Sequence, residues 1–260
     1  ALIGCGGPSP AELAATATAE MQRATAAAAA TAAAETAATI AAATATAATA
    51  TAEAARIVPT QTVIAAATEI AAVGSRATVV FDEDFRDNRN FWKLGQAGEF
   101  ETTELVDGTF QVTWTGKMSS SEFYEVTEFR NFLAETACQV IEHPALGSCA
   151  VTFNWQSGIG YYRFELFEDY YRLFLQLQDQ EPLMLAEGRP QSAYQPGAFN
   201  RIRVLREGPR IRVTVNDILL ADAEDSTLIV GKVGISTASY SADETVVVRF
   251  DSLVIATLGE

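Results

Sequence analysis

Near residue 77 the chain changes its period, and that change limits what it can fold into. Downstream, apolar side chains recur at every second position, as in Val151, Phe153, Trp155 and in Tyr162, Phe164, Leu166. A period of two belongs to a strand whose successive side chains point to opposite faces. The pattern predicts strands at Thr78–Phe81, Glu101–Val106, Thr109–Trp114, 132–141, 149–156, 160–167, 170–178, 200–206, 210–216, 232–238 and 244–256. Asp107-Gly108 is the two-residue signal for a tight hairpin between the second and third of these. Short antiparallel strands with one apolar face bury it most simply as two packed sheets. The expected fold class is therefore mainly β, an antiparallel two-sheet sandwich over 77–260.

Upstream the composition is different. From Ala11 to Ala55 roughly four residues in five are Ala or Thr. Alanine is the best helix former and threonine a poorer one, because its branched Cβ restricts χ1. No Gly or Pro interrupts this tract between Ala11 and Val58. Ser9 is a suitable N-cap, with Pro10 at the first helical position and Glu12 at the third, and Pro59 is a stop. A long Ala/Thr-rich α-helix over 11–58 is expected, ~70 Å if continuous. It carries few charges and fewer large apolar residues (Leu13, Met21, Ile40), hence no wide stripe for packing on its own domain. Such a rod either stands free as a stalk or self-associates. A second, short helix is expected at 61–73, with Val63, Ile64, Ala67, Ile70 and Ala71 on one face and a stop at Gly74. The chain thus divides into 1–10, a helical stalk 11–58, a short helix and linker 59–76, and the sandwich 77–260.

The net charge is −15, which argues against nucleic acid and against electrostatic docking on anionic lipid headgroups. No apolar run is long enough to span a bilayer as a helix. Leu2-Ile3-Gly4-Cys5 resembles the lipobox of bacterial lipoproteins, and Gly6-Gly7-Pro8-Ser9-Pro10 comes after it as a spacer. The resemblance implies cleavage before Cys5, lipid attachment at Cys5 and an extracytoplasmic, cell-envelope location. The rest of such a signal peptide would lie upstream of Ala1. The other two cysteines, Cys138 and Cys149, flank a predicted turn at His143-Pro144. With 132–141 and 149–156 as a hairpin they face each other, and a disulfide fits both that geometry and an oxidising compartment.

A wider resemblance rests on an ordered set of segments: Gly160-Tyr-Tyr-Arg-Phe-Glu-Leu, Tyr170-Tyr-Arg-Leu, Asn200-Arg-Ile-Arg-Val, Arg212-Val-Thr-Val-Asn-Asp, Gly231-Lys-Val-Gly-Ile-Ser and Val248-Arg-Phe-Asp-Ser-Leu. Phe81-Asp-Glu-Asp-Phe, with Trp92 shortly after, matches the usual opening. The order resembles the concanavalin-like (laminin-G-like) jelly-roll domains, including the type described as a 3-keto-disaccharide hydrolase domain, over about 78–257. It implies a jelly-roll sandwich and leaves function open, because this fold hosts lectins, sugar-binding modules, hydrolases and structural parts. Related domains also imply a structural calcium, for which Asp84 and Asp251 are the candidate ligands. No other cofactor is expected.

The residues carry little catalytic chemistry. His143 is the sole histidine, which removes Ser-His-Asp, Cys-His and multi-His metal arrangements. Glycoside hydrolysis needs two carboxylates about 5–10 Å apart. Concanavalin-like hydrolases often carry Glu-x-Asp-x-x-Glu, whereas this chain has Glu165-Leu-Phe-Glu168-Asp169, with the last two in a turn. Asn154, Arg163, Glu165 and Arg172, with Tyr161 and Tyr171 close by, form a candidate glycan-binding patch on the outer face of a sheet. The competing expectation is a solvated face of Arg–Glu cross-strand pairs. The sequence therefore points to a non-enzymatic, lipid-anchored surface protein whose sandwich binds cell-surface polysaccharide or another envelope component. The alternatives are a structural subunit assembled through residues 11–58 and a glycoside hydrolase.

Overall fold

The computed structural model describes residues 68, 70, 72–73, 77–116, 119–123, 127–143, 145–241 and 243–259. Cys5, the Ala/Thr tract and residues 61–67 of the second expected helix lie outside these. Of that helix, Thr68, Ile70, Ala72 and Val73 are described and helical. Ile70 and Val73 bury against Leu205, beside Leu133, Leu219 and Leu258.

Among the described residues the strands are β1 (Thr78–Glu83), β2 (Gly95–Ala97), β3 (Glu101–Val106), β4 (Thr109–Thr115), β5 (Ser119–Phe123), β6 (Phe132–Glu142), β7 (Cys149–Gln156), β8 (Gly160–Leu166), β9 (Tyr171–Leu177), β10 (Leu183–Gly188), β11 (Asn200–Glu207), β12 (Arg210–Val215), β13 (Ile218–Glu224), β14 (Lys232–Ala238) and β15 (Thr245–Thr257). They form a nine-stranded sheet, β13-β12-β11-β6-β15-β4-β3-β2 with β1 on β15, and a six-stranded sheet, β10-β9-β8-β7-β14-β5. All pairings are antiparallel. The two-sheet sandwich read from the sequence is present.

Alternation explains the core. In β6, Phe132, Ala134, Thr136, Cys138 and Val140 are buried while the residues between them are half-exposed. Their counterparts on β7 and β8 are Val151, Phe153, Tyr162 and Phe164. Phe132 meets Phe153 edge-on across the sheets at 6.0 Å, and Phe153 stacks on Tyr162 at 5.4 Å. The Asp107-Gly108 turn forms as expected, with both residues at positive φ (52° and 75°) and Val106 opposite Thr109.

Cys138 and Cys149 are bonded, with Cα atoms 5.9 Å apart. The expected hairpin between them is not what joins them. β6 belongs to the nine-stranded sheet and β7 to the six-stranded one, so the bond staples sheet to sheet where the chain crosses between layers. Both cysteines face the core, which is how alternation in two different sheets can bring them together. Its removal in a Cys138→Ala/Cys149→Ala variant is expected to cost about 2–3 kcal/mol, because the closed loop is short. Chemical denaturation of the oxidised protein and of the variant measures this.

Candidate functional site

β7 sets up the outer face of the six-stranded sheet by breaking its own alternation. The register with β8 shifts between Phe153 and Gln156, and the register with β14 shifts between Lys232 and Gly234. Asn154 sits in that bulge at φ 47°, fully buried, and its Nδ2 donates to the Phe129 carbonyl at 3.2 Å. One extra residue turns the next side chains of the strand to the other face. Trp155, which the alternating pattern assigned to the core, instead lies opposite Lys232 on the outer side. It stacks on Phe123 at 5.0 Å, and the Lys232 ammonium lies 5.3 Å from its ring centroid. Asn154 therefore serves the bulge and is separated from the candidate patch.

Tyr171 is also placed away from the patch. Its ring packs on Phe164 of the core at 6.0 Å, and its hydroxyl donates to the Leu220 carbonyl at 2.7 Å. Tyr161, Arg163, Glu165 and Arg172 do come together. Glu165 lies directly opposite Arg172 in the β8–β9 ladder, and Arg163 lies opposite Phe174. Arg172 Nε donates to Glu165 Oε2 at 2.6 Å, and Arg163 Nη1 is 3.6 Å from Oε1. Arg163 also donates through Nε to Thr152 Oγ1 (3.1 Å) and through Nη2 to Ser121 Oγ (2.9 Å), beneath the Tyr161 ring.

This patch is not the solvated face that the cross-strand pairing suggested. The Glu165 side chain is 0% exposed and that of Arg163 5%. Tyr240, from the segment after β14, lies over Glu165, with its hydroxyl 3.0 and 3.1 Å from the two carboxylate oxygens. Arg172 also donates to that hydroxyl, and its guanidinium lies between the Tyr240 and Phe174 rings, 4.7 and 5.0 Å from their centroids. Burial and the adjacent Glu165 carboxylate raise the Tyr240 pKa well above the ordinary phenol value. For Arg172, burial acts downward, and the Glu165 charge outweighs it, so its pKa is raised. The result is a polar layer in which a buried acid is held by two arginines beneath a tyrosine that reaches solvent.

Access remains at the two ends of β8. At its start, a pocket of about 270 Å³ is lined by Trp155, Gln156, Ile159, Tyr161, Gln176 and Asp179. At its far end, a second of about 240 Å³ is lined by Leu146, Phe167, Asp169, Tyr170, Arg172 and Tyr240. Glu168 and Asp169 are exposed in the β8–β9 turn, as expected. His143 is half-exposed in its turn, with Nε2 3.4 Å from Glu244.

The calcium candidates lie just after β1 and within β15. Asp84 has Arg89 Nη2 at 3.3 Å and Arg86 Nε at 3.7 Å, and Asp251 sits where β15 bulges against β6. A guanidinium beside Asp84 disfavours a dication at that carboxylate. Among the described residues no group of three or more His, Cys, Asp or Glu is arranged to hold a metal. The neighbouring Glu83 is fully buried and accepts from Phe85 N and Trp92 Nε1, both at 2.8 Å, so it anchors the loop after β1.

No protein-family model matches the chain, and no curated protein matches it by sequence. Solved structures do. A carbohydrate-binding module, CBM66 from Bacillus subtilis, aligns at TM-score 0.51 and 17% identity over 64% of this chain and 95% of that one. A Bacillus subtilis protein of unknown function with a galectin-like fold aligns at TM-score 0.54 and 10% identity, covering 69% and 96%. The laminarinase catalytic domain from Thermotoga maritima aligns at TM-score 0.53 and 10% identity, covering 71% and 99%. At these identities the likeness is one of fold: the sandwich is a galectin-like, concanavalin-like jelly roll, as the ordered sequence segments implied.

Proposed function

We propose that the sandwich is a non-hydrolytic glycan-binding module and that the pocket at the start of β8 receives the sugar. The carrying observation is Trp155, turned out of the core by the Asn154 bulge into a pocket that also holds Tyr161, Gln156 and Gln176. Sugar rings stack their C–H faces on aromatic rings and hydrogen-bond to amides through their hydroxyls. The presence of a carbohydrate-binding module among the structures of like fold supports the reading. Against hydrolysis stands Glu165, the acid that sequence places nearest the hydrolase pattern. It is enclosed and held by two arginines and a tyrosine, and so is out of reach of a substrate.

In this proposal Cys5 carries the lipid anchor and residues 11–58 hold the module away from the membrane, outside the cytoplasm. The Cys138–Cys149 bond suits that compartment. Mass spectrometry of the native N-terminus tests the anchor: a lipid-modified Cys5 supports it, and an intact Ala1 removes it. A glycan array followed by titration of the best ligand tests the module. Trp155→Ala is expected to weaken binding at least about tenfold, a loss of 1.4 kcal/mol, with folding retained. A blank array, or unchanged affinity in the variant, overturns the assignment.

A further inference from the structure

Resting on that glycan reading, we infer that the ligand is an uncharged oligosaccharide chain lying along β8 and held at both ends, in the Trp155–Tyr161 pocket and in the Tyr170–Tyr240 pocket. The two pockets share one strand pair. Tyr161 lies opposite Gln176 at the first, and Glu165 lies opposite Arg172 at the second. Four residues of extended strand separate these pairs, ~13 Å. A single sugar ring does not reach across that distance, and a short chain does. Between the pockets the floor is closed by Arg163 and Phe174, both buried, so a chain rests on the layer and dips into a pocket at each end.

The second pocket is built for a ring. Phe167 lies 6.2 Å from Tyr170 and 5.7 Å from Tyr240, centroid to centroid, so its ring contacts both tyrosine rings of the wall. Its polar groups are of both kinds: the Arg172 guanidinium donates and the Asp169 carboxylate accepts. Tyr170 donates to Glu187 at 2.6 Å, which fixes the ring.

Charge decides the ligand class. At the second pocket Arg172 is answered by Asp169, by the buried Glu165 that it shares with Arg163, and by Glu187 behind Tyr170. At the first, Lys232 lies over the Trp155 ring and Asp179 lines the wall. Among the described residues no surplus of cations faces the track. A uronate or sulfated chain would bring anions that these groups do not neutralise, at the desolvation cost of unpaired charge. A chain of hydroxyl-bearing neutral sugars meets no such penalty.

Calorimetric titration of the full chain with neutral oligosaccharides of one to six sugars, from gluco-, xylo-, manno- and fructo-oligosaccharide series, tests this. Oligogalacturonates of the same lengths serve as the charged comparison. Within the series that binds, affinity is expected to rise at least about tenfold between the monosaccharide and the first chain that bridges both pockets, then to level off. Trp155→Ala should weaken every length, while Tyr170→Ala should weaken only the bridging chains and leave the melting temperature near that of the wild type. A monosaccharide that binds as tightly as the hexamer overturns the inference. So does a Tyr170→Ala variant with full affinity for the hexamer, or a preference for the galacturonates. If no series binds at any length, the glycan reading itself fails, an outcome distinct from these three.

Discussion

Replacing Glu165 with Ala should lower the unfolding free energy by about 3–5 kcal/mol, the cost of breaking a buried ion pair from one side. The change removes the one carboxylate shared by Arg163 and Arg172, of which Arg163 is itself 5% exposed, and it strips the Tyr240 hydroxyl of its acceptor. The buried Arg163 guanidinium and the partly exposed Arg172 guanidinium would then lose the counter-charge they share. Glu165→Gln keeps the shape and one acceptor oxygen, so its loss should be smaller. Urea denaturation at constant slope reads both values. The direction of the effect is informative in itself. A strained or functional acid tends to be replaced with little loss, or a gain, of stability, whereas an acid that locks a polar layer is costly to remove.

Arg206→Ala should be comparably severe, about 3 kcal/mol or more, for a related reason. Arg206 occupies an inward-facing position on β11 and is fully buried. Its Nη1 donates to the Pro209 carbonyl at 3.1 Å, and its Nη2 donates to the Asp225 and Leu228 carbonyls at 2.9 and 3.0 Å. The guanidinium lies over the Tyr162 ring, 5.1 Å from its centroid, so one side chain ties β11 to β8 of the opposite sheet. Tyr162 in turn donates to Asp225, and burial together with that carboxylate pushes its pKa up to about 12. Truncation leaves buried carbonyls without donors, at ~1–3 kcal/mol for each that water does not reach. Arg206→Lys, with a compact ammonium in place of the fork, should recover only part of the loss. The same denaturation series measures both variants.

The sandwich was legible because its central strands bury one face and therefore alternate. The strands that the pattern did not reveal are β2, β5, β10 and β13, and these are the edges of the two sheets. An edge strand is covered less, so its sequence is freer. β5 reads Ser-Ser-Ser-Glu-Phe, and β13 opens on the unbroken apolar run Ile-Leu-Leu-Ala, alternating only over its last four residues. The disulfide partners were readable from their isolation as a pair. Their sheet-to-sheet placement was not, because proximity along the chain looks the same for a hairpin and for a crossover.

Of the candidate site, the Arg163–Glu165–Arg172 cluster stems from β8–β9 register and is readable. Its closure is not, since it depends on Tyr240, some 75 residues beyond Glu165 and in no periodic context. Trp155 was misassigned to the core for one physical reason, a single-residue bulge that alternation cannot anticipate. Asn154 at that position carries the only local hint, because Asn tolerates a left-handed backbone better than most residues.

The most direct test of non-hydrolytic binding is to incubate the full chain with the neutral oligosaccharide that titration identifies, if one binds, and to monitor both occupancy and new reducing ends over many hours. A saturable complex from which the sugar is recovered at its original length is the predicted result. Accumulating reducing ends in the wild type, abolished in a folded Glu165→Gln variant, would contradict it.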